Sequence, residues 1–168
     1  EWWCPKPWTT EVRAFDLRPG GAFHTFMQGP DGGTSDNPGC FVEVVPQQRI
    51  VFTSMLLADW RPATPWMPFT ARISMADEAN ESATTRYIAT VMHPDQATRD
   101  QHEQMGFFDG WGTVADQLDA LPNAAPARGG NGDGELAAPI LGGERALLLL
   151  QAFDRARIHH AAAMFTGA

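Results

Sequence analysis

The stretch from Asp95 to Leu121 (DQATRDQHEQMGFFDGWGTVADQLDAL) constrains the fold most. Met105, Phe108, Trp111, Val114, Leu118 and Leu121 recur at steps of three or four, which predicts one apolar stripe on a single helix. Asp100, Glu103, Asp109, Asp116 and Asp119 fall mainly on other faces, and Pro94 and Pro122 punctuate the ends. Such a helix, about 40 Å long at a rise of 1.5 Å per residue, cannot bury that stripe alone. It needs a sheet to lie in.

The residues before it read as strands. Glu11–Leu17, Ala22–Gln28, Cys40–Val45, Arg49–Leu57, Thr70–Asp77 and Ser82–Met92 are short, rich in Val, Ile, Phe or Thr, and bounded by turn residues. Arg18-Pro19-Gly20-Gly21 and Pro46-Gln47-Gln48 are tight links, a longer loop runs from Gly29 to Gly39, and Ala76–Glu81 is a polar turn. Links this short make an antiparallel meander, since parallel neighbours need long crossovers. Alternation points Tyr87, Ala89 and Val91, then Ala71, Ile73 and Met75, then Ile50, Phe52 and Leu56 toward the core.

After Pro122 the composition changes. Residues 122–143 are rich in Ala, Pro and Gly and read as a linker, whereas 144–168 contains Glu144–Phe165, a segment of high helix propensity. The chain thus divides into a domain over 1–121, a linker and a helical tail. The abrupt opening EWWCPKPW implies that an earlier segment precedes it.

Charge and cysteine usage narrow the function classes. A net charge of −8 argues against nucleic-acid binding, which needs a basic surface. No apolar run of about eighteen residues occurs and no leader is recognisable, so neither membrane nor export is expected. Cys4 and Cys40 have no metal spacing and read as free thiols in a reducing cytoplasm.

The residues offer little chemistry for catalysis. Asp16, His24 and Glu43 can reach a cavity from early strands, but surface pairing with Arg13, Arg18 and Arg49 is the simpler expectation. Among His93, His102 and Glu103, the adjacent His102 and Glu103 splay apart by about 100° on a helix, so no metal and no cofactor are expected. The aromatic and Met content says more: six Trp, ten Phe and seven Met exceed what a tight core of this size needs. Phe23, Phe52, Trp60, Met75, Tyr87, Met105 and Phe108 suit the walls of an adaptable apolar pocket. The Pro- and Trp-rich Ala58–Phe69 reads as a lid over its mouth or a rigid edge loop.

Several motifs occur together and in order: Trp2-Trp3-x-Pro5, Asp16-Leu17-Arg18-Pro19-Gly20-Gly21-x-Phe23, Gly29-Pro30-Asp31-Gly32, Gly39-x-Phe41-x-Glu43-Val44-x-Pro46-x-x-Arg49-Ile50-Val51-Phe52, and Gly110-Trp111. Over roughly Glu1–Leu121 they resemble the homologues of the activator of the heat-shock protein 90 ATPase, in the START-like (SRPBCC) superfamily. The resemblance implies an α+β helix-grip fold: a curved antiparallel sheet around a long C-terminal helix, with a cavity between them. In that family a first strand and one or two short helices precede the Trp-Trp motif. Without them the sheet keeps an unpaired edge and an uncovered apolar face, and the tail helix is expected to dock on the body of its own subunit or of a neighbour in a homodimer.

Three functional expectations follow. The first is a non-enzymatic protein holding a small apolar or amphipathic ligand in that cavity. The second, implied by the resemblance, is a module that binds a chaperone partner. The third is a START-like cyclase or hydratase using cavity polar groups.

Overall fold

The computed structural model describes residues 2–77 and 84–121, and the backbone strand at 157–166. Among the described residues the main sheet has seven strands, whose spatial order follows the chain. The strands are β1 (Thr9–Phe15), β2 (Ala22–Gln28), β3 (Thr34–Val45), β4 (Arg49–Thr53), β7 (Thr70–Asp77), β8 (Thr84–Met92) and β9 (Arg157–Thr166). From β1 to β8 every neighbouring pair is antiparallel, as the short links require. Between β4 and β7, β5 (Leu56–Leu57) and β6 (Arg61–Pro62) form a separate two-stranded ladder around a short 3₁₀ turn. The expected Arg49–Leu57 strand therefore divides at Thr53.

The β2–β3 connection is shorter than the sequence suggested. Gly29 N–H donates to Gly33 O at 2.8 Å, and Gly33 N–H is held by Asp31 Oδ1 at 3.1 Å. This closes a five-residue turn, with Gly32 at φ 85°, and lets β3 begin at Thr34 instead of Cys40. The first strand likewise runs Thr9–Phe15 rather than Glu11–Leu17. The pairing register shifts between Val12 and Ala14 and between Phe41 and Glu43, the kind of irregularity that bends and twists a sheet. The curved inner face carries Phe23, Phe41, Ile50, Phe52, Ala71, Ile73, Tyr87, Ala89 and Val91, all buried. Phe23 stacks on Phe41 at 5.0 Å and meets Phe52 edge-on at 4.9 Å, while Phe15 and Trp3 extend the cluster.

The single long helix expected over Asp95–Leu121 is two helices. α1 (Gln96–Gln104) starts at Asp95, whose side chain accepts from Thr98 N–H at 2.7 Å. It stops because Gly106 adopts φ 88°, a left-handed conformation that no right-handed helix can include. α2 (Phe107–Asp119) restarts immediately after it. The break shifts the phase of the stripe: Phe107 is 2% exposed, while Met105 and Phe108 are 55% and 46% exposed. Val114, Trp111, Leu118 and Leu121 do pack on the sheet.

Gln117 on α2 fixes the opening segment of the chain. Its Nε2 donates to Trp2 O at 3.0 Å and Cys4 O at 2.9 Å, while its Oε1 accepts from Lys6 N–H at 3.0 Å. The tryptophan pair is thereby clamped between α2 and the sheet. Both cysteines are buried and unbridged.

The tail is corrected in part. Residues 157–166, expected within a helix spanning Glu144–Phe165, form β9, which pairs parallel to β8 and also approaches α2. A sheet edge with unmet hydrogen-bonding groups outweighs helix propensity here. The rest of that segment and the 122–143 linker lie outside the described residues. Among described residues no helix is long and apolar enough to cross a membrane.

Two substitutions test this reading. Gly106→Ala should cost about 1 kcal/mol through backbone strain alone, since a Cβ there meets nothing within 4 Å. Gly112→Ala, in the α2 interior with equal room and no positive φ, should be neutral or stabilising. Matched thermal melts check the pair, and equal melting points would refute the break. Gln117→Met, which keeps side-chain bulk but loses three hydrogen bonds, should lower stability by about 2 kcal/mol in urea titrations.

Candidate functional site

Alternation along β2 decides which side chains can reach the interior. Phe23, Thr25 and Met27 face a cavity of about 550 Å³ between the sheet and the helices, whereas His24 and Arg13 lie outside around Asp36. The helical wall is His102 from α1, Met105 and Gly106 at the break, and Phe107, Gly110, Trp111 and Val114 from α2. Trp3 enters from the clamped opening segment, and Phe52 and Phe69 complete the aromatic lining. Met105 and Trp66, each 55% exposed, stand at the rim.

The polar wall comes from β3 and β4. It carries Ser35, Asp36, Asn37, Thr53 and Ser54, with Thr25 from β2 beside them. Most of these groups are already engaged. Ser35 Oγ donates to Asn37 Oδ1 at 3.0 Å, and Asn37 Nδ2 donates to Ser35 O at 3.1 Å. Thr53 Oγ1 donates to Phe69 O and Ser54 Oγ to Met67 O, both at 2.8 Å, so these hydroxyls tie the 54–69 loop to the sheet. Asp36 Oδ1 lies 3.0 Å from Arg13 and 2.7 Å from His24.

On the opposite side, His93 Nε2 and His102 Nδ1 share a proton across 2.8 Å. His93 follows β8 and His102 sits on the last turn of α1, so the break at Gly106 lets this short helix fold back onto the strand end. Phe107 meets the His102 ring edge-on at 4.9 Å, with Phe69 at 5.9 Å. Burial in this aromatic setting pushes the His102 pKa down to about 4, assisted by any positive charge on His93. Burial also lowers the His93 pKa, and Arg99 adds to the shift while Asp95 opposes it.

Of the seven side chains expected to line a pocket, Phe23, Phe52 and Met105 do so. Four do not. Tyr87 is buried in the core, where burial raises its pKa, and Met75 packs beside that core. Trp60 is half exposed above Gly20, and Phe108 turns outward with the change of helix phase. Sequence reasoning missed Trp3, Phe69, Phe107 and Trp111 as lining, and weighed His93 and His102 only for a metal-ligating role, which it rejected. Among the described residues no group of three ligands converges on a metal position. Asp16 and Glu43 pair with Arg18 and Arg49, at 2.8 Å and 2.6 Å, away from the cavity.

The histidine pair gives a pH prediction. An unfolded chain protonates its histidines near the ordinary value of 6.5, but the folded chain resists protonation of His102 down to about 4. Stability is therefore full above that upper value and falls on acidification, because the unfolded state gains the extra proton. His102→Gln should flatten the loss of melting temperature between about pH 6.5 and 4.5, above the range where most carboxylates titrate. Equal losses in both proteins would show that the pair is not held neutral by the fold.

Comparison with known proteins agrees with this architecture. A protein from Nitrosomonas europaea is 43% identical, with 69% of this chain and 72% of that one covered and a TM-score of 0.61. One from Mycobacterium smegmatis is 26% identical over 74% and 76%, with a TM-score of 0.57. A third, from Arthrobacter aurescens, is 17% identical over 78% and 77%, with a TM-score of 0.56, and shares the fold alone. No protein of curated function matches the chain. The profile of the family described as "Activator of Hsp90 ATPase homolog 1-like protein" matches residues 1–122, and the chain belongs to that family, with its START-like helix-grip fold.

Proposed function

We propose that this protein holds a small apolar or amphipathic molecule between its sheet and helices, without transforming it. The carrying observation is the cavity itself. About 550 Å³ is a volume suited to a small molecule, and its lining is aromatic on one side and polar on the other. Asp16, His24 and Glu43, the groups suited to acid–base work by sequence, are engaged in ion pairs or hydrogen bonds and do not line it. Asp36 and His102 do line it, but Asp36 is held by Arg13 and His24 and burial disfavours charge on His102, which supports retention of a ligand over cyclase- or hydratase-type chemistry.

A second reading is supported by the family description and by the exposed Trp60 and Trp66 on the 54–69 loop: a module that contacts a chaperone. The two readings separate in one set of measurements. An apolar fluorescent dye should bind the folded protein saturably, and Met105→Trp, which adds bulk at the rim, should weaken binding several-fold with little change in melting. Absence of saturable binding, together with stimulation of a heat-shock protein 90 ATPase, would replace the ligand reading with the partner reading.

A further inference from the structure

We propose that His102, oriented by His93, is the anchoring residue of the cavity and selects an uncharged aromatic molecule bearing a hydroxyl group. The inference deepens the ligand-holding reading and rests on it.

Three observations carry it. First, the hydrogen-bonding groups of the polar wall are largely satisfied within the protein, through Ser35–Asn37, Thr53–Phe69 and Ser54–Met67. On the aromatic side His102 stands among Phe69, Phe107, Trp111 and Met105, and its Nδ1 is committed to His93. Its Nε2 is thus the polar atom that it can offer to a ligand, and no hydrogen bond to Nε2 occurs among the described residues.

Second, the shared proton fixes complementary roles. When His93 Nε2–H donates to His102 Nδ1, the neutral His102 carries its own proton on Nε2 and presents a donor. When the proton lies on His102 Nδ1, Nε2 presents a lone pair. A hydroxyl satisfies either arrangement, because it both donates and accepts, whereas a carbonyl satisfies only the first.

Third, among the described residues the aromatic side of the site offers no fixed charge to a charged ligand. Asp36, the carboxylate among the lining residues, lies on the opposite wall against Arg13 and His24. Among the described residues, Arg99 and Asp95 act on the pair at His93. A ligand carboxylate would need His102 protonated, and burial opposes that. The ring surfaces of Phe107 and Trp111, tilted by 38° at 5.8 Å, favour a flat aromatic body.

Titrations with naphthalene, β-naphthol and β-naphthoate at neutral pH, followed by intrinsic tryptophan fluorescence, test the proposal. Wild-type protein should prefer β-naphthol to naphthalene by about tenfold, on the scale of one hydrogen bond at a buried site, with β-naphthoate weaker than the naphthol. His102→Phe should retain naphthalene binding and lose the preference. Because that variant can fail to fold, nitrogen NMR of the histidine rings in unaltered protein supplies a second readout: β-naphthol should move the His102 Nε2 resonance, and naphthalene should leave it in place. Equal affinity for naphthol and naphthalene, or an unmoved Nε2 resonance, overturns the anchor while leaving the cavity reading intact. Failure of all three compounds to bind overturns both.

Discussion

The left-handed turn at Gly106 is the constraint on which the interior depends. A continuous helix from Asp95 to Leu121 would carry one straight stripe past the sheet. Instead φ 88° at Gly106 ends α1 and starts α2 with a new phase. Phe107 is driven inward, Phe108 outward, and His102 lies against Phe107 and within reach of His93. The space under the break is bounded on both sides by helix and below by strand, which makes a cavity where a straight helix would make a seam.

The sheet contributes through its own periodicity. Because β2 alternates, Phe23, Thr25 and Met27 reach the cavity while His24 and Phe26 meet Asp36 and Arg13 outside. The hydroxyls of Thr53 and Ser54 hold the 54–69 loop through its backbone carbonyls, and that loop delivers Met67 and Phe69 to the cavity wall. The clamp from Gln117 does the same for Trp3. Polar contacts here position apolar surface, so the energetics of burial and the geometry of the site are set by the same few hydrogen bonds.

How much was legible in the sequence follows from which interactions are local. Ala22–Gln28 and Thr70–Asp77 are found with the expected bounds, because alternation and flanking turn residues are local signals. The family motifs carried the helix-grip assignment over the body of the chain. The helix break was not legible, because a stripe of apolar residues counted at 100° per residue assumes an unbroken phase, although Gly106 before Phe107-Phe108 was its available signal. The strand at Arg157–Thr166 was missed for the opposite reason: Ala and Met favour helix locally, and only the edge of β8, distant in sequence, supplies the competing pairing. Pocket residues fared unevenly, since aromatic identity does not say on which side of a helix or strand a ring stands. Tyr87 was assigned correctly to the inner face but lies in the solid core away from the cavity.

The histidine pair shows what composition cannot reveal. Taken as neighbours in sequence, His102 and Glu103 diverge and suggest nothing. In the fold, His102 instead meets His93, nine positions earlier, because the chain turns at Pro94 and Asp95 caps the helix that carries His102 back over the strand end. Among the described residues, Asp16 and Glu43 are paired at the surface, while the aromatic half of the cavity is lined with neutral groups. Surface charge and interior chemistry are decoupled. The net acidity read from the sequence therefore says nothing about what the cavity can accept, and the chemistry of the cavity must be read from the imidazole and the rings around it.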